Sequence, residues 1–490
     1  MAISIKTYPY KTPPYDHQFT ALEKGWDKRE YAWFMEMGTG KTKVAIDNMA
    51  MLWDTGDITG VVIIAPKGVY RNWSEKEIPQ HFPLHVPLNV AVWSTHLTKK
   101  VRESLNSLFK TKTVLNILVI NIDALITQKG SKVIELFLKA HVSMILIDES
   151  TTIKTPSAKR TKQAVKFSKM AAYRRILTGS PVTKSPLDLY TQCAFLNPHL
   201  LGFTSYYSFR NRYAILRTMD YGGRSFKQVV SYKNVDELAE EIKEFSYRVT
   251  KDECLDLPEK IFIKREFEMT KEQKDAYNQM KLMAMAFIEN HTASDGVILE
   301  ATVTSVITQL LRLHQISCGH LPMDDGTILD IKNNRLTELM DLLEETDGKV
   351  IIWANYRRDI FRISEAISKA YGKESLVTYF GDTSDEDRTE AVANFQDPAD
   401  PVRFFLGNTQ TGGYGITLTE ARTVVYYSNN YDLEKRLQSE DRAHRIGQHH
   451  PVTYVDLMCK STIDEKIITA LRNKQDIART ITGDNWRDWI

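Results

Sequence analysis

Four residues of one short stretch have the types and spacing to hold a polyphosphate: Gly38, Gly40, Lys41 and Thr42 in Glu36-Met37-Gly38-Thr39-Gly40-Lys41-Thr42. Glycine at 38 and 40 lets the amides of this loop, Thr39 among them, approach phosphate oxygens with no side chain in the way. Lys41 would reach the β- and γ-phosphates, and the Thr42 hydroxyl would ligate magnesium. The strict pattern begins with glycine at position 35, where this chain has Met35. The flanks restore the match. Tyr31 to Met35 is apolar and strand-like, and Val44 onward is helix-like. A strand, a glycine loop and a helix aim the helix N-terminus at the anion.

Two further clusters complete this chemistry. Met144 to Ile147 is an apolar run ending in Asp148-Glu149. Asp148 would hold magnesium through water, and Glu149 would polarise the attacking water. Near the other end lies Gln438-Ser439-Glu440-Asp441-Arg442-Ala443-His444-Arg445-Ile446-Gly447-Gln448. On a helix, Gln438, Arg442 and Arg445 share one face at steps of four and three, and Gly447 ends it. Two guanidiniums presented together neutralise charge on a transferring γ-phosphoryl group.

The elements that would position these residues follow from short buried runs. In the first half these are Val61 to Ala65, Ile117 to Ile120, Met144 to Asp148 and Arg175 to Thr178. In the second half they are Lys349 to Ala354, Phe404 to Gly407, Val424 to Ser428 and Thr453 to Leu457. Helix-like stretches between them make the fold class α/β: two lobes of parallel sheet flanked by helices. The expected domains are 1–255, with a helical protrusion near 197–250, and 256–490, with a helical insertion near 270–320. Asn234 to Phe245 reads as a helix, and Gly222-Gly223 as a turn. Lys260 to Phe267 alternates like a strand. Thr270 to about Glu289 is a helix capped by Thr270 with Gln273 three residues on, and Leu299 to Ile316 is a second.

With 490 residues and 42% apolar content, each lobe can bury a core. Sixty-four basic residues against sixty-two acidic ones give +2, so nucleic acid would need a local patch. Lys159, Arg160, Lys162, Lys166 and Lys169 form one such cluster, which reads equally well as a solvated helix face. The aromatic residues between Tyr206 and Phe226 invite a base-stacking reading, and core packing is preferred. Four scattered cysteines give no zinc module. No signal-peptide or membrane-length run occurs, and the expectation is a soluble cytoplasmic protein without a membrane partner.

Taken together, these stretches resemble the Swi/Snf-type DNA translocases of helicase superfamily two, from about Tyr15 to Ile467. Tyr15-Asp16-His17-Gln18 looks like the adenine-reading segment, with Tyr15 and Gln18 at the base. Ile64-Ala65-Pro66-Lys67 through Trp73 and Asn121 to Leu125 resemble motifs Ia and Ib. Leu177 to Pro181 resembles motif III, Val350 to Tyr356 motif IV, and Gln410 to Thr419 motif V. Asp441 to Gln448 is similar to motif VI, and Ser461 to Lys466 to the lead-in of the family's last helix. The resemblance implies two RecA-like lobes, ATP and Mg2+ as cofactors, and Gly415 and Asp441 as further nucleotide contacts. It also implies a double-stranded DNA partner (branched DNA included), contacted by Lys67, Thr178, Asn355, Thr411 and Gly412. The backbone amides from Thr411 to Gly415 would serve phosphate. The compact build is similar to small bacterial or viral members acting as monomers.

One departure stands out. The family has Asp-Glu-Ala-His in motif II, where this chain has Asp148-Glu149-Ser150-Thr151. The histidine that links nucleotide to motif III is missing, and Ser150 or Thr151 would hydrogen-bond in its place. An unwinding or branch-migration helicase, and an ATP-switched clamp on DNA or protein, are the alternatives to a translocase.

Overall fold

The computed structural model describes residues 3–482 apart from 68, 111–112, 184, 222–223, 291–299, 324 and 413–415. Gly415 and the Gly222-Gly223 turn lie outside the described residues. Two compact units are present. One takes the chain up to Ala214, with Tyr232–Asp256 and Gln475–Ile490; the other takes Ile215–Ser231 and Leu257–Lys474.

The first unit is built on seven strands. They are β1 (Glu30–Met35), β2 (Gly60–Ala65), β3 (Leu88–Val92), β4 (Leu115–Asn121), β5 (Ser143–Asp148), β6 (Tyr173–Leu177) and, after a two-stranded β7 (Ala214–Tyr221) and β8 (Arg224–Tyr232), β9 (Ser246–Val249). Their order is β3-β4-β2-β5-β6-β1-β9, with every pairing parallel. Both faces of β2, β4 and β5 are buried, which is why their sequences are continuous apolar runs rather than alternations. Trp33, Ile46, Ile63, Leu115 and Leu146 belong to one core here, each contributing about 1.5–3 kcal/mol by leaving water.

The second unit carries β10 (Lys260–Phe267), the hairpin of β11 (His320–Pro322) and β12 (Ile328–Asp330), and β13 (Lys349–Trp353), β14 (Leu376–Tyr379), β15 (Phe404–Gly407), β16 (Ala421–Tyr426) and β17 (Val452–Cys459). The six-stranded order β10-β17-β16-β13-β15-β14 is again wholly parallel. Each unit is thus a RecA-like α/β lobe.

The expected helices appear as Lys271–Asn290 and Glu300–Ser317. The first has the anticipated cap: the Thr270 amide donates to Gln273 Oε1, and the Gln273 amide to Thr270 Oγ1, both at 3.2 Å. The stretch 197–250 departs from the expected helical protrusion. It holds the helices Tyr206–Tyr213 and Val235–Lys243, the hairpin strands β7 and β8, and β9, an edge strand of the main sheet. Phe209 and Tyr213 pack with ring centroids 4.8 Å apart, while Tyr207 stays exposed.

Candidate nucleotide site

The phosphate loop leaves the end of β1 and enters α2 (Lys41–Asp54). Met35 is the last residue of β1 and fully buried in the core, so the position of the missing glycine belongs to the strand here. The sharp turn is made by Gly38 at φ 85 and Gly40 at φ 83. The left-handed φ favours glycine at 40, and a Cβ there would lie 2.1 Å from Gln18 Nε2 and push that side chain aside.

α1 (Asp16–Gly25) packs its N-terminus on this loop. Gln18 Oε1 accepts from the Tyr15 amide at 3.0 Å, and Gln18 Nε2 donates to Thr39 O at 3.1 Å. His17 Nε2 donates to the same carbonyl at 2.8 Å. The Thr39 hydroxyl donates to Glu36 O at 2.8 Å. Tyr15 is 55% exposed and stacks on His17, offering a flat apolar face beside the loop. Lys41 opens α2 and is buried; Thr42 follows it, half-buried.

Strand order brings the acidic pair to this loop. β6 lies between β1 and β5, and Asp148 at the end of β5 is in register with Leu177 on β6. Trp73 Nε1 donates to Asp148 Oδ2 at 3.0 Å, and the Glu149 amide donates to Asp148 Oδ1 at 3.1 Å. Burial pushes the Asp148 carboxyl above the ordinary carboxylate range, opposed by the Lys41 charge and by the Trp73 and Glu149 donors. A buried carboxylate that burial disfavours as an anion is suited to gain a cation. With the Thr42 hydroxyl at the loop, the donor set is all oxygen, as magnesium requires.

Glu149 adopts φ 52 and ψ 65, left-handed without being glycine. Such backbone costs on the order of 1–3 kcal/mol and gathers at functional positions. Thr178 Oγ1 donates to Glu149 Oε2 at 3.3 Å, and the Ser180 amide donates to Thr178 Oγ1 at 3.2 Å. Thr178, expected at the DNA backbone, is 1% exposed here, with its hydroxyl turned to the carboxylate inside the lobe. Arg248 on β9 donates from Nη1 to Phe34 O and Gly179 O, both at 3.0 Å, tying the strand before the phosphate loop to the turn after Thr178. The Lys251 amide donates to Glu36 Oε2 at 2.8 Å. Sequence inspection missed both ties, which join residues far apart in the chain.

In the second unit, the helix Leu433–Glu440 stops before Arg442, which corrects the expectation of one helical face for Gln438, Arg442 and Arg445. The cause lies at Gln448. Its Nε2 lies 2.8 Å from Thr419 O and 3.1 Å from both Ala421 O and Ala443 O, and the Leu418 amide donates to Arg442 O at 2.9 Å. The segment is folded back onto 416–421 as tight turns. The two arginines still converge: Nη1 of each donates to Ile416 O, at 3.1 Å from Arg442 and 3.5 Å from Arg445. Asp441 is buried 3.6 Å from Lys260 Nζ.

The amides of Thr411 and Gly412 both donate to Asn408 O, at 3.1 and 2.8 Å, closing a helical turn. Of the stretch 411–415 expected to serve phosphate, only these two residues lie among the described ones. A Cβ on Gly412 would lie 2.5 Å from the Trp353 indole, so glycine there permits close packing. Asn355 is half-buried; its amide donates to Ser428 Oγ at 2.8 Å, and its carbonyl accepts from Asn408 Nδ2 at 2.9 Å. Lys67, at the C-terminal end of β2, is exposed. The structure therefore gathers Tyr15, Gln18, Gly38 to Thr42, Asp148 and Glu149 in one lobe, and Arg442, Arg445 and Asp441 in the other.

A family profile described as the SNF2-related domain matches residues 33–321, more than half of the chain. The chain belongs to this SNF2-related family. The profile of the helicase conserved C-terminal domain matches residues 331–447 of this SNF2-related chain. It is 24% identical to the chromatin remodeling factor mit1 of Schizosaccharomyces pombe, over 90% of this chain and 30% of that protein. It is also 24% identical to an uncharacterized ATP-dependent helicase of Mycoplasma genitalium, over 91% of this chain and 39% of that one. The chain thus spans less than half the length of these curated relatives. The solved SWI2/SNF2 ATPase core of Sulfolobus solfataricus in complex with dsDNA is similar at 23% identity and a TM-score of 0.41, covering 98% of this chain and 95% of that one. Among the described residues, no helix is long and apolar enough to cross a membrane.

Proposed function

We propose that this chain is a DNA-stimulated ATPase that moves along double-stranded DNA by tracking the backbone of one strand. The observation that supports this most is the convergence, at the ends of β1 and β5, of the glycine loop of Gly38 to Thr42 with Asp148 and Glu149, in a chain of the SNF2-related family. Lys41 holds the terminal phosphates, and Thr42 with Asp148 holds magnesium, which when bound neutralises phosphate charge. Glu149 orients the attacking water and takes its proton. Tyr15 and Gln18 receive the base; Asp441 and Gly415 are further nucleotide contacts. Arg442 and Arg445 steady the charge that spreads over the transferring group. Lys67, Thr178, Asn355, Thr411 and Gly412 contact the DNA backbone.

Turnover measured with no DNA, single-stranded, duplex and branched DNA tests this. Duplex should stimulate, and Lys41→Ala should abolish hydrolysis. Arg442→Ala and Arg445→Ala should each lower kcat far more than ATP affinity. Displacement of a triplex strand without separation of a forked duplex marks a translocase, and the reverse marks a helicase. Slow turnover with tight ATP-dependent DNA binding would replace the motor with a clamp.

A further inference from the structure

A buried polar chain begins one residue beyond Glu149 and has no part in the roles above. Ser150 Oγ donates to Gln192 Oε1 at 2.6 Å. Gln192 Nε2 donates to Pro181 O and Asp188 O, both at 2.8 Å. Asp188 Oδ2 accepts from the Thr183 amide at 3.1 Å and the Thr183 hydroxyl at 3.2 Å. Lys154 Nζ in turn donates to Thr183 Oγ1 at 2.6 Å. Ser150 and Gln192 are fully buried, and Thr183 is 2% exposed. The whole cycle links residues 150–154, immediately after the acidic pair, to residues 181–192, immediately after Thr178-Gly179-Ser180.

Mutual satisfaction of stray polar groups explains such a cluster poorly. Gln192 sits in an otherwise largely apolar helix, Leu189–Leu196, where an aliphatic residue would pack without needing three partners. A buried network with its donors and acceptors matched admits one arrangement and transmits displacement between the segments it joins. Both joined segments lie next to Glu149's contacts: the first begins at the residue after it, and the second begins three residues after Thr178, whose hydroxyl donates to its carboxylate. This is also where the family's motif II histidine is absent.

We propose that Gln192 is a positioning residue that couples the conformation at Glu149 to the loop 181–188, in the place of that histidine and with Ser150 as its donor. The inference rests on the ATPase reading above. ATP turnover of the full chain, with and without saturating duplex DNA, tests it in wild type, Ser150→Ala, Gln192→Met and the double variant. Each single substitution should lower DNA-stimulated kcat by about tenfold. DNA-free turnover and the KM for ATP should stay within about twofold of wild type. The double variant should be no worse than either single, because one shared bond is lost in all three. Should Gln192→Met fail to fold, Ser150→Ala, which deletes a single oxygen, carries the test alone. Unchanged DNA stimulation in Ser150→Ala, or parallel loss of basal and stimulated rates, overturns the coupling role. A wild-type chain with no DNA-stimulated turnover instead overturns the motor, and the relay with it.

Discussion

In the proposed mechanism Asp148 holds magnesium, and its surroundings would set how readily it takes the cation. One oxygen accepts from the Trp73 indole and the other from the Glu149 amide. Outer partners of this kind orient a metal-ligating carboxylate and commonly change metal affinity by 10- to 100-fold. Trp73→Phe keeps the ring in its buried place and removes only the donor. The magnesium concentration for half-maximal turnover should then rise about tenfold, with kcat at saturating magnesium nearly retained. A magnesium titration that superimposes on wild type would show that the indole merely packs. The carboxylates themselves are legible in the sequence because an apolar run ending in two acids follows a phosphate loop in the same chain. The indole bond is not, since it joins positions 75 residues apart.

Among the elements of the second lobe, one buried guanidinium joins several segments. Arg335, fully buried, donates to Tyr427 O at 2.5 Å, Leu457 O at 3.1 Å and Ser317 O at 3.3 Å, and pairs with Asp464. It thereby pins the helix Glu300–Ser317 and the start of the helix Ile463–Thr482 to the ends of β16 and β17. Arg335→Met leaves Asp464 charged and buried, so the second lobe should lose about 3–5 kcal/mol in a denaturant titration. His314 is part of the same cluster: Tyr356 OH lies 2.7 Å from its Nδ1, and Nε2 lies 3.5 Å from Asp464. Burial pushes its pKa down to about 4, with the Asp464 charge opposing. A histidine whose folded pKa is lowered stabilises fully above its unfolded value near 6.5, and that stability fades as pH falls toward 4. The difference in melting temperature between wild type and His314→Gln should therefore shrink on acidification across that window. A constant difference would mean that His314 does not titrate there. The buried strands of both lobes could be read from sequence because parallel sheet buries both faces and leaves continuous apolar runs. β9 and β14 could not: each is an edge strand of only 4 residues, too short to show an alternation as β10 does. The turns at 441–448 were misread for a related reason. Helical spacing carries no trace of Gln448 folding the segment back.

For the molecule as a whole, a formal charge of +2 leaves no global field to draw in DNA, so attraction must come from a face. Lys159, Arg160, Lys162 and Lys166 are all exposed on the helix Lys159–Ser168, and Lys169 just past its end is exposed too, while Thr161, Ala164 and Phe167 face the core. Arg160 lies 3.9 Å from Asp123 across solvent, an ion pair too open to neutralise the helix. If this face meets the phosphate backbone, each contact releases condensed counterions, and binding weakens linearly with the logarithm of salt. The DNA concentration giving half-maximal stimulation should climb steeply between low and physiological salt, while DNA-free turnover barely moves. Lys162→Gln and Lys166→Gln should each reduce the slope by about one and weaken binding alike for every sequence. Slopes equal to wild type would return the helix to the solvent and place the groove elsewhere on the lobe.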